Sequence, residues 1–84
     1  MTPEQAHERF ESMRCGEATV GDDGATLVDR VPINESLDAL RAFGALAIET
    51  GATLTMWPRD EETVELRLEV GRAERCAGLT AGGA

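Results

Sequence analysis

The amino-acid sequence predicts a single two-layer α+β domain, in which an antiparallel sheet of three or four strands carries a central buried helix. Three patterns predict it: apolar residues at helical spacing over residues 35–50, strict apolar/polar alternation in two later segments, and a Gly/Asp cluster between two β-branched runs. Together they give the element order α-β-β-α-β-β. We expect residues 1–71 to form this domain and residues 72–84 to form a flexible tail.

The first predicted helix begins at Pro3 and runs to about Cys15, just before Gly16. The sequence Thr2-Pro3-Glu4-Gln5 is a capping box with proline at the first helical position. Its apolar residues form one narrow stripe, so we expect this helix to lie on the outside of the core. The stripe consists of Ala6, Phe10 and Met13.

The next two segments predict a β-hairpin. Residues 17–20 and 25–31 are rich in β-branched side chains and flank the cluster Gly21-Asp22-Asp23-Gly24, which is typical of a tight turn. Pro32 ends the second strand because it has no backbone N–H to donate. We expect Asn34 to cap the helix that follows.

The second predicted helix covers residues 35–50 and ends at Gly51, a residue suited to the left-handed conformation that closes a helix. Its segment 42–48 is apolar on every side. We therefore expect both sides of this helix to be covered, one by the sheet and the other by the first helix or a second copy of the chain. Gly44 would permit a close backbone approach there.

A second hairpin is predicted from residues 52–57 and 63–70, which alternate with a period of two and are joined by residues 58–62. Alternation divides the side chains between a core face and a solvent face. The core set is Leu54, Met56, Val64, Leu66, Leu68 and Val70, and the outward set is Thr53, Thr55, Trp57, Glu65, Arg67 and Glu69.

Composition limits the function. The chain has 84 residues with 16 acidic and 8 basic side chains, a net charge of −8, and every basic residue is an arginine. So small a domain leaves little room for an enclosed active site. The negative charge disfavours direct binding to nucleic acid or to a membrane, because both need a cationic surface.

Arginine without lysine is typical of GC-rich genomes, which points to a bacterial, archaeal or phage source. The N-terminus has no secretory signal, so we expect a cytoplasmic protein.

Few residues suggest catalytic or metal chemistry. His7, Glu11 and Cys15 fall on one helix face and could offer ligands to zinc, but no second cluster completes the set. Cys15 and Cys76 are far apart in sequence, and in a reducing cytoplasm we expect two free thiols. We expect no enzyme activity, no cofactor and no metal, with a thiol-based redox role as one alternative.

The predicted binding surface is the acidic second hairpin together with the turn of the first. The leading hypothesis is a non-enzymatic module that presents carboxylates to a basic protein, including a nucleic-acid-binding complex. It would then act as an inhibitor or nucleic-acid mimic, as an anti-CRISPR-like phage protein would. The alternatives are a homodimeric accessory protein, or acids that only keep the chain soluble. The candidate residues are Trp57, Asp60, Glu61, Glu62, Glu65, Glu69, Asp22 and Asp23.

Overall fold

The computed structural model describes residues 1–71, and the predicted tail lies outside them. It confirms an α+β fold with two helices and a four-stranded antiparallel sheet. A short 3-10 turn, Ile33–Glu35, precedes the second helix. The elements are α1 (Pro3–Ser12), β1 (Glu17–Gly21), β2 (Gly24–Pro32), α2 (Ser36–Thr50), β3 (Thr53–Pro58) and β4 (Thr63–Gly71).

The two hairpins join into one sheet of strand order β1-β2-β4-β3, in which β2 and β4 are central. Ala25 lies opposite Val70, and Leu27 lies opposite Leu68, so the apolar rows of the two hairpins share one face. Both helices cover that face, α1 over β1 and β2, and α2 over β3 and β4. The largest fully buried side chains are Phe10, Phe43, Leu27, Leu66 and Leu68.

Helix α1 begins as predicted but ends earlier. The Thr2 hydroxyl accepts a hydrogen bond from the Gln5 N–H, and the Gln5 side chain accepts one from the Thr2 N–H. The helix stops at Ser12, not near Cys15, because Arg14 takes a left-handed conformation with φ of 57°. Gly16 then turns the chain against the β2 backbone, where a Cβ would collide with the Val28 carbonyl.

The start of α2 also differs from the expectation. Asn34 lies inside the 3-10 turn, and Glu35 occupies the N-cap position without a side-chain hydrogen bond. The Ser36 hydroxyl instead donates to the Ile33 carbonyl. The prediction that Asn34 caps the helix is therefore wrong. At the other end, Gly51 has the left-handed conformation expected of it, with φ of 74°.

Within the described chain, α2 is covered on one side only, so the expectation that the first helix covers its other side is wrong, whereas cover by a second copy stays a prediction. Phe43, Leu46 and Thr50 form its buried face. On the opposite side Leu37 is 75% exposed and Ile48 is 87% exposed. The physical reason is that α1 packs beside α2 on the same face of the sheet, so neither helix covers the outside of the other.

Both hairpins pair as predicted. Gly21 pairs with Gly24 across a turn of two residues, Asp22 and Asp23. In the second hairpin the acidic loop covers residues 59–62, and the two strands alternate between two faces. The prediction that Met56 lies in the core is wrong: it is 42% exposed, because β3 is an edge strand of the sheet. The face of the sheet away from the helices, which we call the open face, carries the outward set of side chains.

Candidate functional site

The structure distributes the predicted site residues over three separate places. Trp57, Glu65 and Glu69 lie on the open face, where the register places Trp57 opposite Glu65. The other two places are the turns at opposite ends of the sheet. Asp60, Glu61 and Glu62 occupy the β3–β4 turn, and Asp22 and Asp23 occupy the β1–β2 turn.

Glu65 points to the open face as predicted, but it is not presented to solvent. Its residue exposure is only 7%, because two arginine side chains cover its carboxylate. The Arg30 Nε donates to Glu65 Oε1 at 3.1 Å, and Arg59 Nη1 lies 3.7 Å from the same oxygen. The expectation that Glu65 is an exposed carboxylate is therefore wrong, and its charge is compensated within the chain.

Trp57 and Glu69 are also engaged by an arginine of the chain. The Arg67 guanidinium carbon lies 5.5 Å from the centre of the Trp57 ring, within cation–π range. Arg67 Nη1 is 3.5 Å from Glu69 Oε1. Arg67 Nε is buried without a hydrogen-bond acceptor among residues 1–71. The open face thus alternates acids with arginines and holds no continuous row of unpaired carboxylates.

The β3–β4 turn is held in shape by Asp60. Its Oδ1 accepts hydrogen bonds from the Glu62 N–H at 2.8 Å and the Thr63 N–H at 2.9 Å. These bonds favour the carboxylate form, so the pKa of Asp60 lies below its ordinary value, with Arg59 adding to the effect. Asp60 has a structural role in the turn, whereas Glu61 and Glu62 are exposed.

A long-range backbone contact extends this acidic turn. The Ile33 N–H donates to the Glu62 carbonyl at 2.8 Å, which brings the 3-10 turn alongside the hairpin turn. Ile33 is 45% exposed, and Glu35 is exposed beside it. Glu35, Glu61 and Glu62 form no ion pair with an arginine of the described chain. We call Ile33, Glu35, Glu61 and Glu62 the acidic end.

Asp22 and Asp23 lie far from the acidic end. Gly24 begins β2 beside them, and Pro32 ends β2 next to the acidic end. At about 3.4 Å per residue, this nine-residue strand separates the two turns by about 27 Å. The acids of the two hairpins therefore do not converge on one surface.

Sequence reasoning missed Ile33 and Glu35 as neighbours of the acidic turn, and Arg30 as the partner of Glu65. Each of these contacts depends on the pairing of β2 with β4, which brings together residues about 30 positions apart. The alternation of β2 does place Arg30 on the same side of its strand as Val28. That signal identifies a contact with Glu65 only once the strand order is known.

The residues considered for metal binding or thiol chemistry do not form a site among residues 1–71. His7 Nδ1 lies 3.5 Å from Glu11 on α1, but Cys15 lies past the end of that helix. Among residues 1–71, no three His, Cys, Asp or Glu side chains are placed to hold a metal ion. Cys15 has a free thiol whose pKa is raised by burial and by the nearby Asp29 carboxylate. A raised pKa leaves little thiolate at neutral pH and hence a weak nucleophile.

Comparison of the chain with protein-family models, with curated proteins and with solved structures finds no match. Within residues 1–71, neither helix is long and apolar enough to cross a membrane.

Proposed function

We propose that this chain is a non-enzymatic binding module whose acidic end docks onto a basic surface of another protein. The hydrogen bond from Ile33 to Glu62 carries the proposal, because it holds the turn that bears the exposed Glu61 and Glu62 against the 3-10 turn that bears Glu35 and the half-exposed Ile33. An apolar centre with a charged rim is the usual composition of a protein-binding surface.

The rigidity of the acidic turn supports this proposal. Asp60 accepts two backbone hydrogen bonds, and the Arg59 N–H donates to the Thr63 carbonyl at 3.0 Å. Glu61 and Glu62 are therefore presented from a backbone that is already ordered. Less conformational entropy is then lost when a partner binds, and the carboxylates offer bidentate acceptors to arginine.

A basic protein that normally binds nucleic acid fits this proposal, since its arginines and lysines would pair with carboxylates as they do with phosphates. The proposal includes inhibition of such a protein, which is how a phage anti-defence factor acts. The geometry favours contact with one local basic patch. The proposal does not rely on a row of carboxylates along β4 that would resemble a phosphate backbone, because Glu65 and Glu69 are paired with arginines of this chain.

Two charge-reversed variants test the proposal. Glu61→Arg/Glu62→Arg alters the acidic end, and Asp22→Arg/Asp23→Arg makes the same change in net charge at the far turn. Each variant and the wild-type chain would be used to capture proteins from a lysate of the source organism, with quantitative mass spectrometry. Far-UV circular dichroism would verify that both variants are folded.

We expect a basic protein that is retained by the wild-type chain and by the far-turn variant, and lost from the acidic-end variant. Retention should fall steeply as salt is raised, because exposed charges are screened. Equal loss in both variants would mean that only net charge matters. No difference among the three chains, or binding that is indifferent to salt, would refute the proposal.

A further inference from the structure

The outer side of α2 carries a line of four residues, three of them exposed and one, the glycine, half-buried. Leu37, Arg41, Gly44 and Ile48 are spaced i, i+4, i+7 and i+11, which places them in one row along a helix. We call these four residues the outer stripe. Its two large apolar side chains are the most exposed of the described chain's large hydrophobic residues.

Gly44, in the middle of the outer stripe, has no packing role within the described chain. A Cβ built at this position meets no atom within 4 Å beyond its own helix backbone and chain neighbours. Glycine inside a helix costs about 0.5–1 kcal/mol relative to alanine. A glycine on an open helix surface does, however, allow a long side chain or another helix to come close.

The charge around the outer stripe differs from that of the whole chain. The chain carries a net charge of −8, but the two acids of α2, Asp38 and Glu49, are matched in number by two nearby arginines. Arg41 lies on the same helix, and Arg9 of α1 places its Nη2 at 2.7 Å from Glu49. Two copies could therefore meet at this side without bringing the acidic excess of the two chains together.

We propose that the outer stripe is covered by the same stripe of a second copy, with the two α2 helices antiparallel about a two-fold axis. With the axis at the middle of the helix, between Ala42 and Phe43, Leu37 of each copy meets Ile48 of the other. Arg41 then extends over the space that Gly44 leaves open. The stripe is thus complementary to itself in size, with apolar side chains facing each other and the long Arg41 facing Gly44, as a two-fold interface requires.

The tail of the chain is a poorer occupant. Residues 72–84 contain one large aliphatic residue, Leu79. Leu37 and Ile48 are eleven residues apart, which is about 16 Å along a helix. One leucine does not cover two apolar side chains at that separation, whereas a second α2 supplies one at each end. This proposal is independent of the partner proposed for the acidic end.

Analytical ultracentrifugation of the full chain under reducing conditions tests the pairing. Ile48→Glu introduces a charge into the outer stripe, and Ala42→Glu introduces the same charge at an exposed position of α2 outside the stripe. We expect the wild-type chain and Ala42→Glu to dimerise between about 1 µM and 1 mM, and Ile48→Glu to dissociate about 100-fold more readily. A monomeric wild-type chain, or equal behaviour of the two variants, would overturn the proposal.

Cysteine cross-linking tests the orientation of the two helices and does not depend on the folding of Ile48→Glu. Leu37→Cys and Ile48→Cys would be made separately in a chain carrying Cys15→Ser and Cys76→Ser. Mild oxidation of the two variants mixed together should give disulfide-linked dimers, and oxidation of each alone should give few.

Linked dimers from each variant alone would show a parallel pairing and contradict the proposal. A monomeric chain in which a thiol introduced at position 48 reacts slowly with an alkylating reagent, even at high dilution, would assign the stripe to the chain's own tail.

Discussion

At the scale of single residues, the two glutamates of β4 show how the same side chain takes different roles on one strand face. Glu65 and Glu69 lie four residues apart on β4, two repeats of the strand pleat, and both point to the open face. Glu65 is buried beneath Arg30 and Arg59, whereas Glu69 is exposed and pairs with one neighbour on its own strand. When a buried carboxylate is removed, the arginines that it paired with lose a partner that water does not replace. When an exposed carboxylate is removed, water takes its place beside the arginine, and the stability changes little.

We therefore expect Glu65→Gln to lower the free energy of unfolding by about 1.5–3 kcal/mol, the typical contribution of a hydrogen bond to a charged group. Glu69→Gln is the matched control, and we expect it to change the stability by less than about 0.5 kcal/mol. Urea denaturation followed by the fluorescence of Trp57, the only tryptophan, measures both. Equal effects of the two substitutions would contradict the structural role given to Glu65.

At the scale of elements, the first hairpin shows what a turn pattern specifies and what it omits. The pattern Gly-Asp-Asp-Gly predicts the turn without saying which glycine it needs. Gly24 has φ of +129°, and a Cβ there would collide with the Val70 carbonyl of the neighbouring strand. Gly21 faces open space. The requirement for glycine thus comes from β4, which lies far away in sequence.

Gly24→Ala should destabilise the chain by about 1–3 kcal/mol, because alanine is strained at this φ and its methyl group enters the β2–β4 contact. Gly21→Ala is the control on the other side of the same turn, with an expected change within about 0.5 kcal/mol. Chemical denaturation compares the two. If Gly21→Ala proved the more harmful substitution, the register of this hairpin would be incorrect.

The second helix makes the same point about burial. Its apolar composition predicts a helix that is enclosed, and its existence, extent and left-handed end at Gly51 are confirmed. Its outer side is exposed because α1 lies beside it on the sheet. An all-apolar segment predicts burial because its contact with water is unfavourable. The fold of the described chain nevertheless covers only one side of this helix.

At the scale of the whole molecule, the alkaline stability of the chain depends on very few groups. The sequence contains no lysine and no tyrosine, and arginine stays charged above pH 12. Between about pH 9 and pH 12 the two cysteines are therefore the side chains that titrate. The pKa of Cys15 is raised by burial and by Asp29, so the folded chain keeps a proton that the unfolded chain releases.

Because the folded state then binds more protons than the unfolded state, the free energy of unfolding should fall as pH rises above the ordinary thiol pKa. Below that pH the contribution of Cys15 is fully present. Urea denaturation at a series of pH values measures this alkaline decline. We expect Cys15→Ser to flatten the decline and Cys76→Ser, as the control, to leave it in place. A decline unchanged by Cys15→Ser would refute this assignment.

The two proposed surfaces are compatible within one assembly. The acidic end lies where α2 begins, so an antiparallel pairing of two α2 helices directs the two acidic ends to opposite ends of the dimer. Such a dimer offers two equivalent sites, and two linked sites raise the apparent affinity for a partner that presents two basic patches at the matching distance.

The sequence by itself determined the helices and strands, their order, both turns, and which side chains of each strand share a face. These properties follow from local rules: hydrophobic periodicity, the capping box of Thr2 and Gln5, and the conformational preferences of glycine and proline. The register confirms the outward set on β3 and β4, Glu65 and Glu69 included.

Only the tertiary structure decided which charges remain unpaired. The pairing of β2 with β4 places Arg30 against Glu65 and joins Ile33 to Glu62, residues that are 35 and 29 positions apart in sequence. The same pairing puts Asp22 and Asp23 at the opposite end of the sheet from Glu61 and Glu62. Local propensities act over a few residues, whereas charge compensation depends on distances in space, which chain folding sets through the strand order.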